Sequence, residues 1–513
     1  MTAEPTGRST AVALLGLHGR LVEIEAALTN QKPGFRLVGL PDAALREAQV
    51  RVRSAVEHSG FEMPRRHLTV NLSPAALPKH GSAFDLGIAA AILATEGVVH
   101  PAAIGDTVHI GELALDGRLR PVPGVLPAVL AARRDGRSTV VVPTANRAEA
   151  ELVSGIRVVG VPSLRELAIF HGADLQPVPV EPVAGPAVRR TEYTIPDLAD
   201  VVGADEAVEA LIVAAAGGHH MLMVGPPGAG KTMLATRLPG LLPDLDDDAA
   251  LDAGCVRSLL GDPEVSALDR RPPWAAPHHG ATQAAIIGGG SGVLRPGEAV
   301  RASGGVLFLD EAPEFAVPVL DALRQPLESG RITIERASAT AEFPGRFQLV
   351  LAANPCPCGR WGTREGTCTC PPEKRRRYLR RLSGPLMDRI DIQLRLDRVT
   401  AVQLRTAEER ATVSTAQARQ RVLAARARAD ERLAGTPWRR SVEVPGAWLR
   451  APGRRLDPQA RAPLDRALEI GRLTMRGYDR VLRLAWTLAD LDGVDRPARA
   501  HIGRALALRE ESA

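Results

Sequence analysis

Residues 220–224 (HMLMV) form an apolar run that leads directly into Gly225, Pro226, Pro227, Gly228, Ala229, Gly230, Lys231 and Thr232, after which residues 233–238 start a helical pattern. Strand, glycine-rich turn and helix start, in that order, make a cradle for phosphate. Glycines let backbone N–H groups converge on phosphate oxygens without a Cβ in the way, and the helix dipole adds positive potential. Lys231 can reach the outer phosphates of a nucleoside triphosphate, and the Thr232 hydroxyl can bind Mg²⁺. The bland alternative is a chance glycine–proline turn.

A phosphate cradle needs acids to do chemistry. Residues 306–309 are an apolar strand pattern ending in Asp310 and Glu311. Placed beside the first strand, Asp310 would hold the Mg²⁺ water shell, and Glu311 would orient and deprotonate the attacking water. A third apolar run, residues 347–353, ends at Asn354, which can hold that water against the terminal phosphate or can simply serve the turn before Pro355. The transition state also gathers negative charge. Arg389 closes one helical stretch and precedes the strand pattern 390–396, so it is the candidate arginine finger acting on a neighbouring subunit's nucleotide. The other reading is a local ion pair with Asp388 or Asp391.

At 513 residues the chain exceeds one core, and three parts are expected. Residues 1–172 alternate short strands (68–72, 108–110, 139–142) with helices (85–95, 125–134). Residues 173–190 form a proline-rich linker, and residues 191–398 alternate strand and helix again. Residues 399–513 read as helical, with a long helix over 407–433 and shorter ones over 463–472, 476–492 and 498–509. From Arg405 onward 22 arginines face 14 acids, a net +8 against +5 for the whole chain. A basic tail suits an anionic partner such as nucleic acid, although only four of the 64 cations are lysine, as a biased genome would also produce. No apolar run approaches the ~18 residues of a membrane span, and no secretory block is evident, so a cytoplasmic protein without membrane contact is expected.

Five cysteines in such a chain argue for metal or free thiols. Cys356, Cys358, Cys368 and Cys370 form two close pairs within residues 356–370, enough for a tetrahedral structural Zn²⁺ site. Free thiols or a redox pair remain alternatives, and the C-x-C spacing is tighter than usual. Residues 374–381 (KRRRYLRR) follow at once. With Tyr378 available for stacking they suit DNA backbone contact, or they are a solvated helix face. Cys255 stands alone and reads as core, and His278 and His279 read as satisfying local hydrogen bonds.

Taken together, GPPGAGKT, VLFLDEAPEF, QLVLAANPCPCG and RLSGPLMDRID resemble the magnesium-chelatase-like AAA+ ATPases, most closely the YifB/ComM group, over nearly the whole chain. The resemblance implies an α/β AAA+ phosphate-loop core with an α-helical lid, using ATP and Mg²⁺ and assembled as a hexameric ring. It also implies a DNA branch-migration motor acting on branched or single-stranded DNA in natural transformation. A lid arginine would sense the γ-phosphate; Arg483 is the best match, with Arg476 and Arg480 close by. Residues 287–301 and 332–343 would be pore-facing insertions, or structural hairpins at subunit contacts. Residues 71–81 and 111–118 resemble the proteolytic domain of Lon, but Ala83 and Leu126 stand where Lon carries its serine and lysine, so no protease activity is expected. Ser82 next door would serve only in a shifted register. Two rivals are a metal-insertion motor, which a Lon-like domain weighs against, and a protein-remodelling chaperone.

Overall fold

The computed structural model describes residues 6–39, 43–77, 79, 81–181, 183, 194–262, 265–290, 294–336, 339–362, 368–408 and 412–509. Part of the linker expected over 173–190 (182 and 184–190), parts of both expected pore insertions (291–293, 337–338) and residues 409–411 lie outside them.

The amino-terminal part is a seven-stranded sheet in the order Gly34–Val38, His67–Ser73, His18–Thr29, Thr6–Leu15, Thr107–His109, Thr139–Pro143, Arg157–Val161. Its two longest strands, Thr6–Leu15 and His18–Thr29, pair antiparallel around Gly16 and Leu17. The alternation that the sheet requires is plain in Val22, Ile24, Ala26 and Leu28, all buried, with the less buried Glu23, Glu25 and Ala27 between them. The helix Asp85–Thr95 is buried at all its positions because it lies across this sheet. Gly7 permits the approach, since a Cβ there would stand 2.0 Å from the Ala91 carbonyl oxygen.

The second sheet has five parallel strands in the order Trp274–Ala275, Val306–Leu309, Gln348–Ala353, Met221–Val224, Ile392–Arg395. Parallel strands are covered on both faces, and Val306–Leu309 and Gln348–Ala353 are accordingly buried throughout. One expectation is corrected here. The acid-bearing strand is not beside the phosphate-loop strand; Gln348–Ala353 runs between them and pairs with both.

The carboxy-terminal part is helical and shares one apolar cluster with the phosphate-loop strand, Met221 and Met223 packing with Val481, Leu484 and Leu488. The single helix expected over 407–433 is instead two, Ala401–Glu408 and Thr415–Arg432. Ser414 starts the second, its hydroxyl accepting from the Gln417 N–H while the Gln417 side chain caps back, so the chain turns where a continuous helix would have run. Beneath this lid, Asp391 is fully buried. It accepts from His219 Nδ1 (2.9 Å) and Arg480 Nη1 (2.7 Å). Burial alone would raise its pKa; the His219 bond and the Arg480 charge outweigh that and hold it well below the carboxylate range.

The two sheets are joined by packing. Leu126 and Val125 share a cluster with Cys255 and Val265, and the Gly124 N–H donates to the Ser258 carbonyl (2.9 Å). At a second point the Gly16 turn sits against Ala341 and Phe343 of the hairpin formed by Arg331–Arg336 and Ala339–Pro344. Among the described residues no helix is long and apolar enough to cross a membrane.

Candidate nucleotide site

The phosphate loop turns through Gly228 (φ 82°) and Gly230 (φ 84°), backbone conformations that side-chain-bearing residues rarely adopt. It opens into a cavity of about 350 Å³ lined by Pro227–Met233, Asp310, Glu311 and Asn354. Lys231 Nζ donates to the carbonyls of Gly225 (2.6 Å) and Pro226 (3.1 Å) and to Asn354 Oδ1 (3.1 Å). Burial lowers its pKa, while Asp310 and Glu311 work the other way. Asp310 is engaged at both oxygens: Thr232 Oγ1 donates to Oδ2 (2.7 Å) and the Glu311 N–H to Oδ1 (2.9 Å). Thr232 and Asp310 thus present adjacent hard oxygens, the donor set that Mg²⁺ prefers.

Glu311 is the one non-glycine residue with positive φ (51°) among the described residues. Such a conformation costs roughly 1–3 kcal/mol and persists where its surroundings over-determine it. The turn aims the carboxylate at His279, whose Nδ1 lies 3.2 Å from Glu311 Oε2. His279 follows the strand Trp274–Ala275, and its ring leans on His278 at 4.0 Å. His279 thus does more than satisfy local hydrogen bonds; nothing in the sequence shows that its strand runs next to the acid-bearing one.

Among the described residues, the cavity lining includes no arginine. Arg389 lies elsewhere, bonded to the Glu328 carboxylate and the Pro385 carbonyl rather than to Asp388 or Asp391. Burial lowers its pKa, and Arg324, Arg480 and Arg476 add to the effect. Arg483 does not join the cavity: it is largely buried and its Nε donates to the Val444 carbonyl (2.7 Å). Arg480 is committed to Asp391, whereas Arg476 is the exposed member of the three, paired with Asp388 (2.8 Å). A helix packed by Val481, Leu484 and Leu488 turns Arg483 inward with them.

The four clustered cysteines converge, their sulfurs all within 4.8 Å of one another. The Arg360 backbone N–H and its sulfur neighbours draw the Cys358 thiol down to about 6, whereas desolvation pushes Cys368 up to about 11. Four thiolates at this spacing repel one another unless a cation joins them, and the donor set fits Zn²⁺. Cys255 is buried, as expected of core. Tyr378 is also buried, so it offers no stacking face; the aromatic near this basic run is Trp361, under the Arg375 (4.9 Å) and Arg395 (5.8 Å) guanidinium groups. In the amino-terminal sheet, Ser82 Oγ donates to the Glu112 carboxylate, and Lys79 Nζ donates to the carbonyls of Pro74 (2.6 Å) and Leu77 (3.0 Å).

Family models match the chain in three stretches: "Subunit ChlI of Mg-chelatase" over residues 24–146, "Magnesium chelatase, subunit ChlI" over 197–404, and its C-terminal model over 412–509. Competence protein ComM of Haemophilus influenzae is 42% identical across 97% of this chain and 96% of its own, and YifB of Escherichia coli is 38% identical across 97% and 96%. The chain belongs to the YifB/ComM family. It is an AAA+ ATPase of the magnesium-chelatase-like kind. The uncharacterized protein Rv2897c of Mycobacterium tuberculosis is 48% identical over 99% of both chains. A Lon protease of Mycolicibacterium smegmatis is 32% identical over 186 residues, 34% of this chain, a partial likeness in keeping with the Lon-like motifs.

Proposed function

We propose that this YifB/ComM family member is an ATP-driven ring motor that remodels branched or single-stranded DNA in the cytoplasm. The carrying observation is the convergence of Lys231, Thr232, Asp310, Glu311 and Asn354 on one cavity whose lining, among the described residues, lacks an arginine. Lys231 takes the outer phosphates. Thr232 and Asp310 would hold Mg²⁺, which would supply neutralising charge to the phosphates. Glu311, once its carboxylate leaves His279, takes the proton of the attacking water, and Asn354 aligns that water. The missing cation then comes from Arg389 of an adjacent copy, which must give up Glu328 to reach the transition state, with Arg476 the lid arginine most free to follow. A cation supplied by a neighbouring copy calls for a closed ring, and six subunits is the number the family resemblance suggests. Zn²⁺ on Cys356, Cys358, Cys368 and Cys370 belongs to the same proposal. So does the absence of protease activity, since Ser82 is engaged with a carboxylate rather than an amine.

DNA is favoured over the rivals by the basic segment from Arg405 onward and by the relative named a competence protein. The test is ATP hydrolysis with a four-way DNA junction, unfolded protein or porphyrin added in turn, with Lys231→Ala as control. Stimulation by the junction, weakening as salt rises, is expected. Stimulation by unfolded protein or porphyrin alone would replace DNA with that rival.

A further inference from the structure

The cysteine cluster is built into the nucleotide site. Asn354 ends the strand Gln348–Ala353, and Pro355 carries the chain directly into Cys356, which is fully buried. The Gly359 N–H closes a turn onto the Cys356 carbonyl (2.9 Å), and Gly359 takes φ +73°. That turn lies flat on the phosphate loop: a Cβ on Gly359 would stand 2.6 Å from Pro227 Cδ and 4.0 Å from Asn354 Cγ. The Trp361 N–H then donates to Cys356 Sγ (3.4 Å), and its ring lies near Arg395, which pairs in register with Val224 at the end of the phosphate-loop strand. The cysteine loop therefore bears on the cradle from two sides, through Pro227 and through Arg395.

We propose that a thiophilic divalent metal on the four cysteines is a brace for the phosphate loop, so that nucleotide affinity depends on metal occupancy. The proposal rests on the zinc reading of the cluster and adds a consequence to it. With the metal bound, the sulfurs hold the turn shut and Gly359 fixes Pro227, which keeps Gly225 and Pro226 aligned on Lys231. With the metal gone, the sulfurs are no longer tied to one centre and the turn is free to open. Pro227 loses its backing and the Lys231–Asn354 bond loses the geometry that makes it. Asn354, two residues from Cys356, is displaced with the turn. Gly359 is a positioning residue in this scheme: any side chain there must shift Pro227.

The experiment measures metal content of the full-length protein by mass spectrometry and the affinity of a fluorescent ATP analogue in the same samples. Measurements are made before chelation, after chelation under reducing conditions, and after Zn²⁺ is returned. Bound zinc at about one per chain is expected. Chelation should weaken the analogue at least roughly tenfold, about 1.4 kcal/mol, with full recovery on zinc return and an unchanged far-UV circular dichroism spectrum. Gly359→Ala should keep its zinc yet lose affinity to a similar degree. Absence of bound zinc in protein purified without chelator overturns the zinc reading itself. Zinc that binds but whose removal leaves affinity unchanged overturns the brace alone. Should chelation unfold the chain, zinc-loaded Gly359→Ala decides, and if that variant does not fold, zinc-loaded Trp361→Ala does; wild-type affinity in the deciding variant sinks the proposal.

Discussion

His279 Nδ1 stands 3.2 Å from Glu311 Oε2, tying the turn after the outermost parallel strand to the carboxylate that would activate water. Both side chains are part-exposed, so the tether is a weak latch of at most about 1 kcal/mol. Replacing His279 with Ala should free the carboxylate. Basal ATP turnover should rise, by up to about fivefold, with little change in KM. Steady-state kinetics in the absence of DNA checks this; a fall in turnover would show that His279 assists Glu311 and does not restrain it.

Glu311→Gln preserves shape and removes the base. Turnover should fall by about 10²–10⁴ while ATP still binds, whereas Lys231→Ala should abolish binding. Equilibrium binding of a fluorescent nucleotide beside single-turnover hydrolysis separates the two. Equal loss of binding in both variants would place Glu311 in substrate binding.

Arg389→Ala should lower kcat by roughly 10³–10⁵ if its cation completes a neighbour's site. Mixed with Glu311→Gln, it should regain activity, because a ring containing both has some interfaces that join an intact Glu311 to an intact Arg389. A mixture no more active than the sum of its parts would mean that Arg389 acts within its own subunit or not at all.

Asp391 is held well below the ordinary carboxylate range, and that sets the sign of a pH effect. A depressed folded-state pKa contributes stability that is present above the unfolded value, about 3.9, and is lost as pH falls below it toward the folded value. Asp391→Asn should cost roughly 3–5 kcal/mol at neutral pH, since it leaves Arg480 buried without its counter-charge. Its loss of stability below about pH 4 should then be shallower than in the unaltered chain. Thermal melts from pH 3 to 7 measure both effects; parallel curves would remove Asp391 as the source.

The parts of this site that were legible in the sequence are those whose chemistry is local. The phosphate loop sits between its own strand and helix, and helices such as Asp85–Thr95 and Val125–Arg134 begin and end where apolar runs and glycines said they would. What escaped was long-range. The order of the parallel strands, with Gln348–Ala353 interposed, is fixed by crossovers that no window of sequence contains. So is the meeting of His279 with Glu311, 32 positions apart. The inward turn of Arg483 and the burial of Tyr378 depend on which helix face finds a partner. Two misses did carry a signal: the alternation through Val22, Ile24, Ala26 and Leu28, and the Ser414–Gln417 cap that divides the lid helices.

Leu126 has no catalytic lysine's freedom; its side chain is plugged against Gly254 and Cys255 on the ATPase side. The first 170 or so residues are therefore not a bead on a string. Cutting them away would strip the cover from Cys255 and Val265 and from the hairpin beside Gly16, leaving a sticky scar on an otherwise intact engine. A shortened chain of that kind should clump before it can turn over, and any stroke of the ATPase half must carry its amino-terminal companion along.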